Sequence, residues 1–275
     1  PVIVQPDAAS ERYLAVQIVP YGEGQRLLLV RDVSRQMRLE AMRKDFIANA
    51  SHELRSPLTV ISGYLETLSQ DSALDSDLQV PLAEMRRQAE RMTGIIRDLL
   101  ELSKLEGDDR EVVGRPIDIA PLLALLRKDV LARAEHPQEV RVRIDSRARL
   151  VGDEPEIHTA FSNLVDNAAK YTPPHGSIEM RWWTDDGGGH FSVTDTGIGI
   201  PTEHIPRLTE RFYRVDAGRS RATGGSGLGL AIVKHVLQRH GATLEIESTL
   251  GEGSTFTCHF PARRVEAVEI SAISA

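Results

Sequence analysis

Two sets of apolar residues recur at threes and fours, and they commit the first part of the chain to long helices. Leu54, Leu58, Ile61, Leu65 and Leu68 are spaced four, three, four and three, which at about 100° per residue puts them in one narrow stripe. The run from about Ser34 to Ser69 therefore reads as helical. A second run, from about Val80 to Leu105, carries Leu82, Met85, Ala89, Met92, Ile96, Leu99 and Leu102 with the same period. Polar residues from Gln70 to Gln79 connect the two. Two long helices with a short connector make an antiparallel hairpin, and two hairpins complete a four-helix bundle, so a homodimer is implied. Gly107-Asp108-Asp109 ends the second helix and opens a linker.

On the first helix His52 points about 180° away from Ile61, on the wet side, next to the carboxylate of Glu53. A histidine opposite the seam is either an ordinary surface residue or one available to react. Ser56 lies one turn further on at the i, i+4 spacing, and Pro57 removes a backbone donor and can bend the helix there.

The chain has 275 residues, room for two ordinary domains, and its 41% hydrophobic and 27% charged content is that of a globular protein. A formal charge of −7 and a pI near 5.8 argue against nucleic acid or an anionic membrane surface as the main partner. The single cysteine, Cys258, excludes an internal disulfide framework, fits a reducing compartment, and in its alternating setting reads as a buried thiol. No run approaches the roughly 18 apolar residues that span a bilayer. The chain starts at Pro1 without methionine, which suggests a piece of a longer protein, so the missing membrane segment says little about the parent.

Before the helices, Arg12 to Val19 alternates as a half-buried strand, Gly22-Glu23-Gly24 supplies a turn, and Arg26 to Arg31 reads as a second strand. After the linker, strands and helices mix. Arg141 to Asp145, Ile178 to Thr184, His190 to Thr194, Thr243 to Ser248 and Thr255 to Phe260 read as strands, and Glu154 to Lys170 and Ser226 to Arg239 as helices. Adjacent Trp182 and Trp183 place one indole on each face of their strand, as packing. Residues from Arg263 onward read as a tail.

Asn163, Asn167 and Lys170 form one polar stripe at i, i+4, i+7, opposite Ile157, Ala160, Phe161, Leu164 and Ala168. Such a stripe is either a solvated face or a place where an amide oxygen holds Mg²⁺ and an amine neutralises phosphate. Asp195-Thr196-Gly197-Ile198-Gly199 ends a strand and enters a loop, and Gly224-Gly225-Ser226-Gly227-Leu228-Gly229-Leu230 runs into a helix whose first amides suit phosphate. Neither continues as a Walker loop or fits a dinucleotide fingerprint, and the motif set of Ser/Thr/Tyr protein kinases is missing.

Ser51-His52-Glu53-Leu54-Arg55-Ser56-Pro57-Leu58-Thr59 resembles the phospho-acceptor box of bacterial sensor histidine kinases, with Ser56 where threonine is usual. Downstream, Asn163 to Tyr171, Asp195 to Gly199, Glu210 to Arg214 and Gly225 to Leu230 resemble, in order, the N, G1, F and G2 boxes of that family's ATP domain. Gly251 to Phe256 follows as a final box. The likeness covers roughly residues 32 to 262 and is nearest to the phosphate-regulon type. The F box has Thr209 where a first phenylalanine is common and keeps Phe212. The N-terminal strands resemble the closing strands of a PAS domain.

The resemblance implies an α+β chain: a PAS-like remnant at 1–31, a dimeric phosphotransfer hairpin at 32–107, a linker at 108–114, an α/β-sandwich ATP domain of the gyrase/Hsp90/histidine-kinase/MutL type at 115–262, and a tail at 263–275. It implies ATP and Mg²⁺, with Asn167 on the metal, Asn163 lining the phosphates, Lys170 and Arg214 facing phosphate oxygens, and Tyr171 covering the adenine. It also implies a membrane-anchored parent at the inner cell membrane, of which this is the cytoplasmic part. Asp195 accepts from the adenine amino group, Gly197 and Gly199 allow that approach, and Gly225, Gly227, Leu228 and Gly229 cradle phosphate, with Thr255 beside the nucleotide. Residues between Pro201 and Gly225 form the lid, with Arg219, Ser220 and Arg221 in it. His52 attacks the γ-phosphate with Glu53 taking or orienting the ring proton, a response-regulator receiver aspartate accepts the phosphoryl group, and Ser56 orients water for the reverse phosphatase reaction. Two other readings stay open: an ATPase of the gyrase type, whose general-base glutamate would stand where Asn163 does, and a dimeric scaffold in which ATP only sets conformation.

Overall fold

The structure is a computed structural model that describes residues 2–4, 12–22, 24–69, 76–105, 112–215 and 226–267. Three antiparallel strands open the chain, β1 (Val2–Val4), β2 (Leu14–Tyr21) and β3 (Gln25–Asp32), in the order β1-β2-β3. Asp32 then ties sheet to helix: its Oδ1 accepts from the Ser34 hydroxyl at 2.6 Å and the Ser34 N–H at 2.9 Å, while Ser34 Oγ accepts from the Tyr13 N–H at 2.8 Å. Capping of this kind satisfies first-turn donors and sets the point where the strand becomes helix.

The expected hairpin is α1 (Ser34–Ser69) and α2 (Ser76–Leu105). Pro57 lies within α1, and the Thr59 hydroxyl bonds back to the Arg55 carbonyl at 2.9 Å in the same turn. The single apolar stripe read from α1 divides into two. Leu58 and Leu65 are buried, with Ala89 and Ile96 buried on α2, whereas Leu54, Ile61 and Leu68 stay 43–52% exposed.

The α/β part is built on a five-stranded sheet in the order β5-β7-β8-β10-β9, from β5 (Glu139–Ile144), β7 (Ser177–Asp185), β8 (Gly188–Asp195), β9 (Thr243–Thr249) and β10 (Gly253–Pro261). Only β5 and β7 pair in parallel. One face is covered by α3 (Ile119–Leu131), α4 (Glu154–Tyr171) and α5 (Gly229–Arg239). The α4 stripe of Ile157, Ala160, Phe161, Leu164 and Ala168 is fully turned into this core, where Phe161 stacks on Phe191 with centroids 3.8 Å apart. Asp153 caps α4 by accepting from the Glu156 N–H at 3.1 Å. Among the described residues the other face of the sheet is uncovered. Trp182 is buried and donates to the Ala148 carbonyl, while Trp183 lies on the open side against His190, as packing residues on opposite faces.

Several elements gave no periodic signal. A second small sheet, in the order β11-β6-β4, is made of β4 (Arg115–Ile117), β6 (Arg149–Gly152) and β11 (Val265–Glu266). The strand reading placed nothing at residues 115–117 or 149–152, and no helix at 119–131. The tail assigned from Arg263 is corrected. Val265 pairs with Leu150, and Arg264 is buried with Nη1 donating to the Val112 carbonyl at 2.7 Å. The last linker residues are held as well, since the Val112 N–H donates to the Arg239 carbonyl. Leu102 and Leu105 at the end of α2 join the same hydrophobic core as Ile117 and Ile119, so the hairpin's last turn is packed into the α/β unit. Helix α5 begins at Gly229 and not at Ser226, because Gly227 takes a positive φ of +74° that no helix contains.

Candidate functional site

A cavity of about 970 Å³ opens between α4, the end of β8, residues 198–215, the start of α5 and one face of α2. Its two ends differ in charge. At one end Asp195, the last residue of β8, is 6% exposed and accepts the Gly197 N–H on Oδ1 at 2.8 Å. Burial raises its carboxyl above the ordinary value, and the backbone N–H groups of Gly197 and Ser254 oppose that shift. A carboxylate so held favours a ligand that donates a hydrogen bond to it. Gly199 turns the chain away beside it with φ +65°, and a Cβ there would run into the Thr249 carbonyl.

The other end is cationic. Asn163, Asn167, Lys170 and Tyr171 all line the cavity from α4, as their spacing requires, and Arg214 lines it from the following loop. Lys170 is pushed down to about 8, first by burial and then by the positive charges of Arg214 and Arg91; its Nζ stands 5.0 Å from the centre of the Tyr171 ring. A buried ammonium among like charges is a place for an anion. Asn163 Nδ2 donates to the Thr159 carbonyl at 2.8 Å, which leaves its Oδ1 toward Gly229, where a Cβ would collide with it. Gly227 and Gly229 line the cavity at the α5 N-terminus.

Two expected ligands are placed elsewhere. Thr255 stands on the open face of the sheet, its hydroxyl 3.1 Å from Thr194 Oγ1, while Ser254, paired with Asp195 across β10 and β8, lines the cavity. A step of one residue along a strand reverses the face, and Phe256, Cys258 and Phe260 on the buried side already marked the even positions. Leu228 is wholly buried in the core, and its N–H is taken by Ser226 Oγ at 3.1 Å. The F-box Phe212 is more than half exposed and contributes through its backbone N–H, which donates to the Gly227 carbonyl at 2.8 Å. Local packing there is carried by Tyr213, whose hydroxyl meets His204 Nδ1 at 2.6 Å under the Arg207 guanidinium. Gly225 and the lid residues Arg219, Ser220 and Arg221 lie outside the described residues. His52, Glu53 and Ser56 are within α1, but their side chains lie outside what is described. Cys258 is a buried thiol raised well above its ordinary pKa by burial alone.

The motifs had not marked α2 as a wall of this cavity. Arg91, Ile95 and Asp98 face it, and Asp98 Oδ2 accepts from the Ser226 hydroxyl at 2.7 Å. Among the described residues no cluster of three or more His, Cys, Asp or Glu side chains could hold a metal by itself.

Comparison with known proteins gives the same two-part division. Residues 42–108 match the family described as His Kinase A (phospho-acceptor) domain, and residues 152–264 match the family described as Histidine kinase-, DNA gyrase B-, and HSP90-like ATPase. The chain belongs to the sensor histidine kinases and carries the phospho-acceptor and ATPase modules of two-component signalling kinases. It is 53% identical over 268 residues to the phosphate regulon sensor protein PhoR of Pseudomonas aeruginosa, covering 95% of this chain and 60% of the relative. It is 40% identical over 238 residues to the sensor-like histidine kinase SenX3 of Mycobacterium tuberculosis, covering 86% of this chain and 58% of that protein. The chain thus spans about 60% of the length of the curated relatives it matches. Among solved structures, full-length ShkA in complex with AMPPNP superposes with a TM-score of 0.63 at 25% identity, covering 82% of this chain and 46% of that chain.

Proposed function

We propose that the chain binds ATP in the cleft, transfers its γ-phosphoryl group to His52, and passes that group to an aspartate of a response-regulator receiver domain. The observation that carries this reading is the polarity of the cleft. A buried carboxylate at Asp195 suits the adenine amino group, guanine would present a carbonyl to it, and Lys170 with Arg214 suits the phosphates. The likeness to ShkA in complex with AMPPNP supports an adenine nucleotide as the ligand. The amide of Asn167, with Asn163 one turn before it, fits Mg²⁺, which takes few protein ligands and keeps waters and phosphate oxygens for the rest. When bound, that ion offsets charge on the transferred group.

In the reaction an imidazole nitrogen of neutral His52 forms the N–P bond as the bond from phosphorus to the β,γ-bridging oxygen breaks and ADP leaves, while Glu53 takes or orients the proton on the other ring nitrogen. Lys170 and Arg214 hold the phosphates, and Ser56 is read as orienting water when the regulator is dephosphorylated. Asn163 stands where a gyrase-type ATPase would need its glutamate, which weighs against hydrolysis as the main activity. A homodimer is read from the exposed half of the α1 stripe. The N-terminal sheet, with Leu27, Leu28, Leu29 and Val30 all exposed, is read as the end of a larger PAS-like sensor domain. We place this part in the cytoplasm, where ATP and a regulator are found. No helix among the described residues is long and apolar enough to cross a membrane.

The test is incubation with γ-labelled ATP and Mg²⁺. Label should appear on the protein as an acid-labile, alkali-stable phosphoramidate; His52→Gln should abolish it with nucleotide binding unchanged, and Asn167→Ala should remove the Mg²⁺-dependent labelling. Full labelling of the His52 variant would exclude His52 as the acceptor.

A further inference from the structure

The cleft has a wall that does not come from the ATP domain, and that wall carries Arg91. Arg91, Gly94, Ile95 and Asp98 project from one face of α2 at i, i+3, i+4 and i+7, and all line the cavity. The Nε of Arg91 is buried with no hydrogen-bond partner among the described residues. A buried guanidinium N–H without an acceptor is costly, and the same residue lines the cavity, so an anion bound there supplies the side chain with the acceptor it lacks. Three carboxylates that line the cavity are already engaged. Asp98 accepts from Ser226, Asp166 is bonded to Arg133, and Glu90 faces Arg86 at 3.8 Å. Gly94 leaves the helix surface open between Arg91 and Asp98.

Arg91 also shares a field with the phosphate end. Its charge, with that of Arg214, adds to burial in depressing the Lys170 ammonium, so three cations from three separate elements converge on one space. Three like charges in a half-buried cleft repel one another until a polyanion arrives. We propose that Arg91, contributed by the helical hairpin, is a phosphate ligand of the nucleotide held in the cleft, so that nucleotide occupancy and docking of α2 against the ATP domain reinforce each other. This rests on the reading of the cleft as an ATP site and deepens it.

The coupling follows from linkage. A ligand that touches both domains binds their docked arrangement more tightly than the undocked one, and docking raises its affinity by the same factor. Ser226 sits at the same seam. Its hydroxyl donates to Asp98 on α2 and accepts the Leu228 N–H at the start of α5, so the loop at the phosphate end is pinned from the hairpin side.

Calorimetric titration of the whole chain with ATP and with adenosine, in the presence of Mg²⁺, tests the assignment on the unaltered protein, Arg91→Ala and Arg91→Lys. Arg91→Ala should lose roughly ten- to hundredfold in ATP affinity, the range for one charge-assisted hydrogen bond, with adenosine affinity unchanged. Arg91→Lys should recover part of the loss, and the melting temperature without ligand should not fall. Equal ATP affinity in Arg91→Ala and the unaltered chain would overturn the assignment and leave the ATP reading standing. An equal loss for adenosine would overturn it too, by showing that Arg91 only shapes the cleft. Failure of the unaltered chain to bind ATP would overturn both.

Discussion

Lys170 shows how one residue carries the charge logic of the cleft. Its folded-state value of about 8 lies below the ordinary 10.5, with burial the leading cause. Between those values the folded chain binds fewer protons than the unfolded one, so this group makes stability rise with pH across that window. Bound phosphate reverses the preference by favouring the ammonium. Nucleotide binding at about pH 8.5 should therefore take up protons, and affinity should fall as pH rises through 8 to 9. Titration calorimetry in buffers of different ionisation heat would measure the uptake, and Lys170→Met should abolish it. A binding enthalpy independent of buffer would remove Lys170 from the phosphate end. The stripe Asn163, Asn167, Lys170 was legible because helical spacing alone puts those residues on one face. Thr255 was misplaced by one position, although the buried alternation of Phe256, Cys258 and Phe260 carried the register that selects Ser254.

Among the elements, the joint between α4 and α5 depends on a histidine that no motif singled out. His240, wholly buried after the last turn of α5, donates from Nδ1 to the Val236 carbonyl at 2.8 Å and accepts the Asp153 N–H on Nε2 at 3.1 Å. Accepting on Nε2 requires the neutral ring, and burial lowers its pKa against the opposing pull of the Val236 carbonyl. His240→Phe leaves the Asp153 N–H without an acceptor at the α4 cap and should cost about 1 to 3 kcal/mol in urea unfolding at neutral pH. The unfolded chain takes a proton on this ring near the ordinary value of 6.5 while the folded chain does not, so the unfolded state binds more protons and stability declines as pH falls below it. Unfolding midpoints compared at about pH 7.5 and about pH 5.5 should show a smaller decline in His240→Phe than in the unaltered chain. An identical decline would place the acid sensitivity in other groups.

For the whole molecule, the hairpin has two seams where the sequence pattern suggested one. Leu58 and Leu65 on α1, with Ala89 and Ile96 on α2, close the hairpin, and each pair is seven residues apart. Leu54, Ile61 and Leu68, with Leu78, Met85 and Met92, repeat at the same interval and stay exposed. Two interleaved heptad stripes on each helix are what a four-helix bundle of two copies needs. Ile61→Glu should leave the chain folded and shift its mass, measured by light scattering, from two copies to one. Losing two buried isoleucines corresponds to roughly 3 to 6 kcal/mol, or on the order of 10² to 10⁴ in the dimer dissociation constant. An unchanged mass would mean that the exposed stripe faces something other than a second copy.

Local patterns determined much of this protein by sequence alone: the helical hairpin, the strand pairs around their glycine turns, and the residues at both ends of the cleft. Periodicity and glycine placement act over a few residues, so they can be read without the rest of the chain. Tertiary structure alone decided that Val265 and Glu266 complete a sheet with β6, that the end of α2 enters the α/β core, and that Arg91 and Asp98 wall the cleft. Asp98 and Ser226 are 128 residues apart, and a two-residue strand or one arginine on a helix rich in charge leaves no repeating signal. Such contacts exist only because packing the core brings their elements together, and the free energy that does so is spread over many buried side chains rather than written at the residues that meet.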